Sequence, residues 1–306
     1  MKQIILMFCL FKSICIIGQT TIYSKSFGNK EDKAIIFIHG GPSGNSTLFE
    51  YTTAEKLAER GFYVIIYDRR GEGRSIDSLA TFTYQEYFND LNSIYLTYNI
   101  QQANIIGHSF GGLIASLFSE KYPQKVESLI LAGALFSQQK TYDNIIKSVS
   151  EIYRSNNDTI KLKELMAVKQ LNKNSEEYRK KCFDLANDNN YFEMPKPTEE
   201  SETLRQEYDK NILNYNIRNK NAPKLFYQNE SLKNIEIKST LKKLKREVKI
   251  FAIYGKEDKI FGEIQFKEIK KIVGENNFFL IENCSHYLFV DQQEIFIKKI
   301  VNWLKT

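Results

Sequence analysis

Residues 103–112 decide the fold of this chain, and they read Ala103-Asn104-Ile105-Ile106-Gly107-His108-Ser109-Phe110-Gly111-Gly112. An apolar run typical of a buried strand leads into a glycine-flanked pentapeptide, and an apolar helical pattern follows at residues 113–118. A turn this tight leaves no room for side chains two residues before and two residues after its tip, and glycine stands at both places. The turn also lifts the serine hydroxyl away from the sheet. This strand–turn–helix pattern predicts that Ser109 is a catalytic nucleophile.

The surrounding sequence predicts a mostly parallel sheet with helices on both faces. Apolar, β-branched runs at 34–38, 62–67, 103–106 and 128–131 alternate with helical segments at about 49–60 and 84–99. The alternation returns with runs at 248–254 and 278–281 and ends in a helix at about 292–304. Strands that are apolar along their whole length are buried on both faces, as in α/β proteins.

Between these two parts the alternation of strands and helices is interrupted. From about residue 136 to residue 245 the chain is polar, rich in Asn, Lys, Glu and Tyr, and mostly helical in pattern. We therefore expect one α/β core made of residues 19–135 and 246–306, with a helical cap inserted at residues 136–245.

The composition is that of a globular protein. The chain has 306 residues, of which 42% are hydrophobic and 26% charged, and its formal net charge is +6. The lysines are spread out among glutamates, and the densest basic stretch, Lys242 to Arg246, lacks the interleaved aromatic residues of a single-strand binder. These features favour a solvated surface and give no indication of a nucleic-acid partner.

Residues 1–18 have the form of a secretory signal peptide. Lys2 precedes an apolar stretch that Lys12 interrupts, and Gly18 supplies a small residue at the cleavage position. We expect a secreted or periplasmic protein with no stable membrane span after cleavage, and a membrane-anchored or cytoplasmic protein is the alternative. Cys182 and Cys284 would remain in the mature chain, and the sequence leaves open whether they pair and what the oligomeric state is.

A serine nucleophile needs a base, and the chain has only three histidines. His39 opens a glycine turn, and His108 is the neighbour of Ser109 inside the tight turn, so its ring points elsewhere. His286 follows the last predicted strand and fits the chain order of serine, acid and histidine. Cys284, two residues earlier, is an alternative nucleophile, but no glycine-flanked turn surrounds it.

The acid is expected between the cap and His286. Glu257 and Asp258 both follow the strand at 248–254, and Asp258 falls in a Gly-x-x-Asp turn that can carry a short carboxylate back toward the imidazole. We favour Asp258, whose role would be to fix the imidazole tautomer and stabilise the imidazolium.

Two backbone N–H groups are predicted to bind the oxyanion. The segment His39-Gly40-Gly41-Pro42 follows a strand, and its glycines let the backbone approach a reacting carbonyl. The expected donors are the N–H groups of Gly41 and of Phe110, the residue after the nucleophile. The three histidines are thereby assigned and no metal-binding motif is present in the sequence, so we expect neither a metal nor an organic cofactor.

In order and spacing, these motifs resemble the α/β-hydrolase superfamily over residues 23–135 and from 248 to the C-terminus. Within it, His39–Pro42 and the segment Asp68-Arg69-Arg70-Gly71-Glu72-Gly73-Arg74-Ser75 are similar to motifs of proline iminopeptidases and related serine aminopeptidases. The resemblance implies an α/β-hydrolase fold with a helical cap and a small-molecule or short-peptide substrate. Asp68 and Arg74 are expected to brace the loop.

The resemblance also suggests where a substrate amine would bind. Those enzymes recognise a free α-amino group with acidic cap residues, and residues 188–193 are similar to their Glu-Asn-x-Tyr-Phe segment, which implies Asp188, with Glu193 as a competing candidate. Ser43 and Phe110 stand where that family has glycine and tryptophan, which leaves the proline specificity open. We expect an aminopeptidase of the proline-iminopeptidase type, and the alternatives are a carboxylesterase or C–C hydrolase and a non-catalytic ligand-binding protein.

Overall fold

The computed structural model describes residues 22–305 and builds them around one sheet of seven strands in the order β1-β3-β2-β4-β5-β6-β7. Only β1 is antiparallel to its neighbour, and every other pair is parallel. The strands are β1 (Ser24–Phe27), β2 (Lys33–Ile38), β3 (Phe62–Tyr67), β4 (Ala103–His108), β5 (Val126–Ala132), β6 (Lys249–Gly255) and β7 (Phe278–Ile281). The predicted signal peptide at residues 1–18 lies outside the described residues.

A short turn connects β1 to β2, and helices connect the strands from β2 onward. They are α1 (Thr47–Phe49), α2 (Glu55–Glu59), α3 (Tyr84–Thr97), α4 (Phe110–Lys121), α5 (Gln138–Ser155), α6 (Thr159–Gln170), α7 (Glu176–Asp188), α8 (Glu199–Ile212), α9 (Ala222–Asn229), α10 (Lys238–Leu244), α11 (Glu263–Val273), α12 (Leu288–Asp291) and α13 (Gln293–Lys305). A π-helical turn, Glu50–Ala54, joins α1 to α2. No helix in the described part of the chain is both long and apolar enough to cross a membrane.

The two faces of the sheet bury separate cores. Along β2, Ile36 and Ile38 point into one core and Ile35 and Phe37 into the other, because successive side chains of a strand alternate between faces. Buried residues of α3, α4, α10 and α11 belong to the first core, and those of α2 and α13 belong to the second. The predicted parallel sheet with helices on both faces is confirmed.

The structure refines several predicted boundaries. The predicted strand at 103–106 continues to His108, and the predicted helix at 49–60 consists of α1, the π-helical turn and α2. β1 was not predicted, because its sequence Ser-Lys-Ser-Phe is short, polar and half-buried and carries no apolar run. It pairs with β3 at the edge of the sheet.

A group of helices, α5 to α10, lies between β5 and β6, where the polar helical segment occurs in the sequence. α5 packs against α6 and α7, whereas α10 packs against α4 and α11 on the sheet. The limits of the cap at residues 136 and 245 remain a prediction.

Candidate active site

Ser109 occupies the tip of the turn between β4 and α4. Its φ of +53° lies in the left-handed region that side-chain-bearing residues avoid, at a cost of about 1–3 kcal/mol. A Cβ added to Gly107 would lie 2.8 Å from the carbonyl oxygen of Gly111, and one added to Gly111 would lie 2.3 Å from that of Ile38. Close backbone approach therefore requires both flanking glycines, as the sequence pattern indicates.

His286 and Asp258 are joined by a hydrogen bond of 2.7 Å between Nδ1 and Oδ2. Both residues are buried, with 4% and 1% of their surface exposed. Because a carboxylate only accepts hydrogen bonds, the proton of the neutral ring lies on Nδ1, and Nε2 is left as the basic nitrogen.

Ser109 and His286 line one cavity of about 720 Å³. Within residues 22–305, no hydrogen bond joins the Ser109 hydroxyl to the ring of His286. Contacts of this kind commonly tighten only when substrate binds. The structure thus brings the three residues predicted from the sequence to one site.

Glu257 has a different partner from its neighbour Asp258. Its Oε2 accepts a hydrogen bond of 2.8 Å from the backbone N–H of Cys284. It therefore braces the loop that carries His286, and in the described part of the chain it makes no hydrogen bond to the imidazole ring.

The other two histidines are neutral and already engaged. His108 Nε2 donates to the carbonyl oxygen of His286 at 2.9 Å, and burial together with the nearby His286 lowers the pKa of His108 to about 3. His39 Nε2 accepts from the backbone N–H of Arg69 at 3.1 Å, and burial, helped by the Arg69 charge, holds the pKa of His39 well below its usual value. Neither ring is available as a general base.

The backbone of the His39–Pro42 loop is oriented by Arg69. The guanidinium donates to the carbonyl oxygens of His39 and Gly40, the latter at 2.8 Å. In a trans peptide the C=O and the following N–H point in opposite directions, so the N–H of Gly41 is directed away from Arg69. Gly41 lines the cavity, and a Cβ added to Gly40 would lie 3.6 Å from the Ser109 hydroxyl oxygen.

Phe110, the second predicted oxyanion donor, is the first residue of α4. Its N–H belongs to the first turn of the helix, where backbone donors have no intrahelical acceptor. The N–H also lies at the positive end of the helix dipole, which favours a developing negative charge.

A fully buried ion pair fixes Arg69 itself. Arg69 Nε donates to Glu72 Oε2 at 2.7 Å, and Glu72 Oε1 accepts from the backbone N–H groups of Ser43 and Gly44. The sequence reasoning did not identify this pair as a brace of the His39–Pro42 loop. The available signal was an Arg/Glu pair at i,i+3 inside a glycine-rich turn after a buried strand.

Asp68 and Arg74 brace the neighbouring loop, as expected. Asp68 Oδ2 accepts from the backbone N–H of Arg74 at 2.9 Å and from its Nε at 2.7 Å. Asp68 Oδ1 accepts from the backbone N–H and the hydroxyl of Ser46 at 2.8 and 2.6 Å. These contacts lie beside the site and leave its cavity free.

The two carboxylates expected to bind a substrate amine lie elsewhere. Asp188 ends α7 and Glu193 follows in the next turn; both are exposed, and neither lines the cavity that contains Ser109. The geometry therefore gives the predicted amine-binding role of Asp188 and Glu193 no support. The charged residues that do line the cavity are Glu176, Arg179, Lys180, Asp184, Arg205, Asp209, Arg218 and Lys220.

Both described cysteines are free and buried. Burial raises the pKa of each thiol, for Cys182 to about 12. Cys284 is thus a protonated thiol and a poor nucleophile, although it lies close to His286 in sequence. No group of three His, Cys, Asp or Glu side chains in residues 22–305 is arranged to hold a metal ion.

Several known proteins are similar to this chain. A proline iminopeptidase from Lactobacillus delbrueckii subsp. bulgaricus is 32% identical over 127 residues, which are 39% of this chain and 42% of that protein. A proline iminopeptidase from Arabidopsis thaliana is 27% identical over 126 residues, 40% of this chain and 32% of that protein. The matching segment thus spans less than half the length of these curated relatives.

Solved structures share the fold over nearly the whole chain. A proline iminopeptidase-related protein from Thermus thermophilus superposes with a TM-score of 0.66 at 21% identity, covering 94% of this chain and 95% of the other. An esterase from Exiguobacterium antarcticum superposes with a TM-score of 0.62 at 20% identity, covering 93% and 96%. The family model for the alpha/beta hydrolase fold matches residues 33–293. The chain therefore belongs to the α/β-hydrolase family.

Proposed function

We propose that this protein is a serine hydrolase that works through an acyl-enzyme. Ser109 Oγ attacks the acyl carbon of a substrate while His286 Nε2 takes the hydroxyl proton and then passes it to the leaving group. Gly41 and Phe110 N–H groups bind the oxyanion, and Asp258 stabilises the imidazolium. Water then attacks the acyl carbon and His286 takes its proton. The acyl–Oγ bond breaks as His286 passes that proton to Ser109 Oγ, and the acid product leaves.

One observation carries this proposal. His286, which is buried and hydrogen-bonded to Asp258 at 2.7 Å, lines the same cavity as Ser109. The strained turn at Ser109 presents the serine hydroxyl to that cavity. A non-catalytic binding protein would have no need for a strained serine beside a paired histidine, since strain of this kind is retained where it serves a function.

A fluorophosphonate probe tests the nucleophile. The wild-type protein should become labelled on Ser109, the Ser109→Ala variant should not, and His286→Ala should label far more slowly. The Ser119→Ala variant, which changes a buried serine on α4 away from the cavity, serves as the control and should label like wild type. Unlabelled wild-type protein would exclude the proposed mechanism.

We propose that the substrate is a short ester or amide. The leading candidate activity is that of an aminopeptidase of the proline-iminopeptidase type. The curated relatives and the shared His39–Pro42 loop support this candidate. If an amine is recognised, the cavity offers Glu176, Asp184 and Asp209 as its carboxylates. Ester hydrolysis is the second candidate, because the two predicted amine ligands lie outside the cavity.

A substrate panel separates the two candidates. Proline and alanine para-nitroanilides with free amino termini are compared with their acetylated forms and with para-nitrophenyl esters. Release of nitroaniline from the free forms only would support the aminopeptidase. Ester hydrolysis without release of any amino-terminal residue would reject it.

A further inference from the structure

Arg179 is a positively charged residue in the wall of the cavity that contains Ser109. It lies on α7, three residues after Glu176, and is half-buried. Within residues 22–305 no carboxylate lies within ion-pair distance of its guanidinium. Two other cations of the cavity wall are neutralised, since Lys180 pairs with Asp184 at 2.7 Å and Arg205 pairs with Asp291 at 2.5 Å.

The Arg179 guanidinium lies next to the His39–Pro42 loop. Arg179 Nη2 donates to the carbonyl oxygen of Gly41 at 3.3 Å. Gly41 is also the proposed oxyanion donor, so Arg179 reaches the end of the cavity where the reaction is proposed to occur. Arg218 and Lys220 line the same cavity but are exposed.

A buried aromatic side chain lies near Arg179. The buried phenol of Tyr142 lines the cavity near it. Burial raises the pKa of Tyr142, and the charge of Arg179 opposes that rise. A guanidinium cannot lose its proton, so its partial burial is unfavourable until an anion neutralises it.

We propose that Arg179 binds a carboxylate of the substrate, so that this enzyme prefers esters or amides that carry a negative charge near the scissile bond. The planar fork of a guanidinium matches the two oxygens of a carboxylate. Arg179, the half-buried cation beside Gly41, fits a single negative charge. This inference rests on the proposed serine-hydrolase function and assigns a substrate class to the same site.

The test compares closely related esters of different charge. On the acyl side these are the mono-para-nitrophenyl ester of hexanedioate, its neutral methyl ester, and the para-nitrophenyl ester of aminohexanoate. On the leaving-group side they are butanoate esters of nitrophenol and of carboxynitrophenol. Wild-type kcat/KM should be highest for the carboxylate in at least one series.

Two variants locate the preference. Arg179→Gln should lower kcat/KM for the preferred carboxylate ester on the order of 10- to 100-fold relative to its neutral counterpart, because a hydrogen-bonded charge pair is lost. Arg179→Lys should retain part of the preference. Lys181→Gln removes the same charge from the same helix outside the cavity and should leave the preference unchanged.

A binding measurement keeps the inference separate from the proposed mechanism. Calorimetry with Ser109→Ala should show tighter binding of the hexanedioate monoester than of its neutral diester, and Arg179→Gln in that background should abolish the difference. Binding without hydrolysis by wild type would retain the carboxylate site and reject the mechanism. Equal losses for charged and neutral esters in Arg179→Gln, or no charge preference in either measurement, would reduce Arg179 to a brace for Gly41 and overturn the inference.

Discussion

Asp258 and Glu257 are adjacent carboxylates with different partners, so their substitution should have different effects. Asp258→Asn removes the anion that fixes the His286 tautomer, and we expect kcat to fall by about 10⁴-fold with little change in the folded structure. Glu257→Gln keeps an oxygen that can accept from the Cys284 N–H, so its kcat should stay close to wild type. Kinetics on a para-nitrophenyl ester, with circular dichroism as a folding control, decides the assignment. Comparable losses in both variants would contradict it.

His108 makes the stability of the protein depend on pH. Its pKa is about 3 in the folded protein, below the usual value of 6.5. As pH falls below 6.5, the unfolded chain takes up a proton that the folded protein refuses, so stability decreases until both states are protonated below about pH 3. At about pH 5 the buried neutral His108 should lower the free energy of unfolding by about 2 kcal/mol relative to neutral pH.

The His108→Gln variant isolates that contribution. Between about pH 7.5 and about pH 5, the free energy of unfolding of the variant should fall by about 2 kcal/mol less than that of wild type. His39 acts in the same direction but is present in both proteins, so it cancels in the comparison. Urea titrations at the two pH values give the difference, and identical pH dependence in both proteins would show that His108 is not buried in its neutral form.

At the scale of elements, the site depends on two turns that meet. The turn between β4 and α4 presents Ser109, and the loop after β2 supplies Gly41. The first turn is fixed by its own glycines, which are required by backbone contacts. The second is held from outside by Arg69 and Glu72, so its geometry depends on a pair of side chains from the loop after β3.

Substitution of this pair should separate stability from activity. Glu72→Gln leaves a buried guanidinium without its counter-ion and should lower the free energy of unfolding by about 3–5 kcal/mol. Adding Arg69→Met removes that charge, so the double variant should regain much of the stability. Its kcat should nevertheless remain about 10²- to 10³-fold low, because the Gly40 carbonyl is no longer held and the Gly41 N–H loses its direction. A double variant that regains both stability and kcat would exclude the role proposed for Arg69.

For the whole molecule, the sequence predicts what depends on local geometry and fails where distant elements meet. The strand–turn–helix segment at 103–112 and the chain order of Asp258 and His286 are recognisable, because a tight turn and a parallel sheet restrict the residues allowed there. Asp188 and Glu193 could not be placed, because the position of a cap residue depends on how α5, α7 and α8 pack. For the same reason nothing in the local sequence distinguishes Arg179 from Lys180 or Lys181.

The helices between β5 and β6 are connected to the loop that carries His286. Arg205 on α8 pairs with Asp291 on α12, and Asp291 Oδ2 accepts from the backbone N–H of Ser285 at 2.9 Å. The Ser285 hydroxyl donates to the carbonyl oxygen of Tyr191 at 3.2 Å. The residue before His286 is thus bound directly to Tyr191 and, through Asp291, to Arg205, so a change in the helices between β5 and β6 should reach His286.

The Arg205→Met variant tests this connection. It leaves the buried Asp291 carboxylate without a cation, and we expect the free energy of unfolding to fall by about 2 kcal/mol near neutral pH, less than for a fully buried pair because Arg205 is partly exposed. Burial raises the pKa of Asp291 and Arg205 opposes that rise, so the variant should raise this pKa further. A carboxyl group with a raised pKa binds its proton more readily in the folded protein, so the stability deficit of the variant should shrink as pH falls toward about 5.

The double variant Arg205→Met/Asp291→Asn should recover stability at neutral pH, and kcat should remain lowered in both variants. A deficit that is independent of pH would show that the loss comes from packing and not from the unpaired carboxylate.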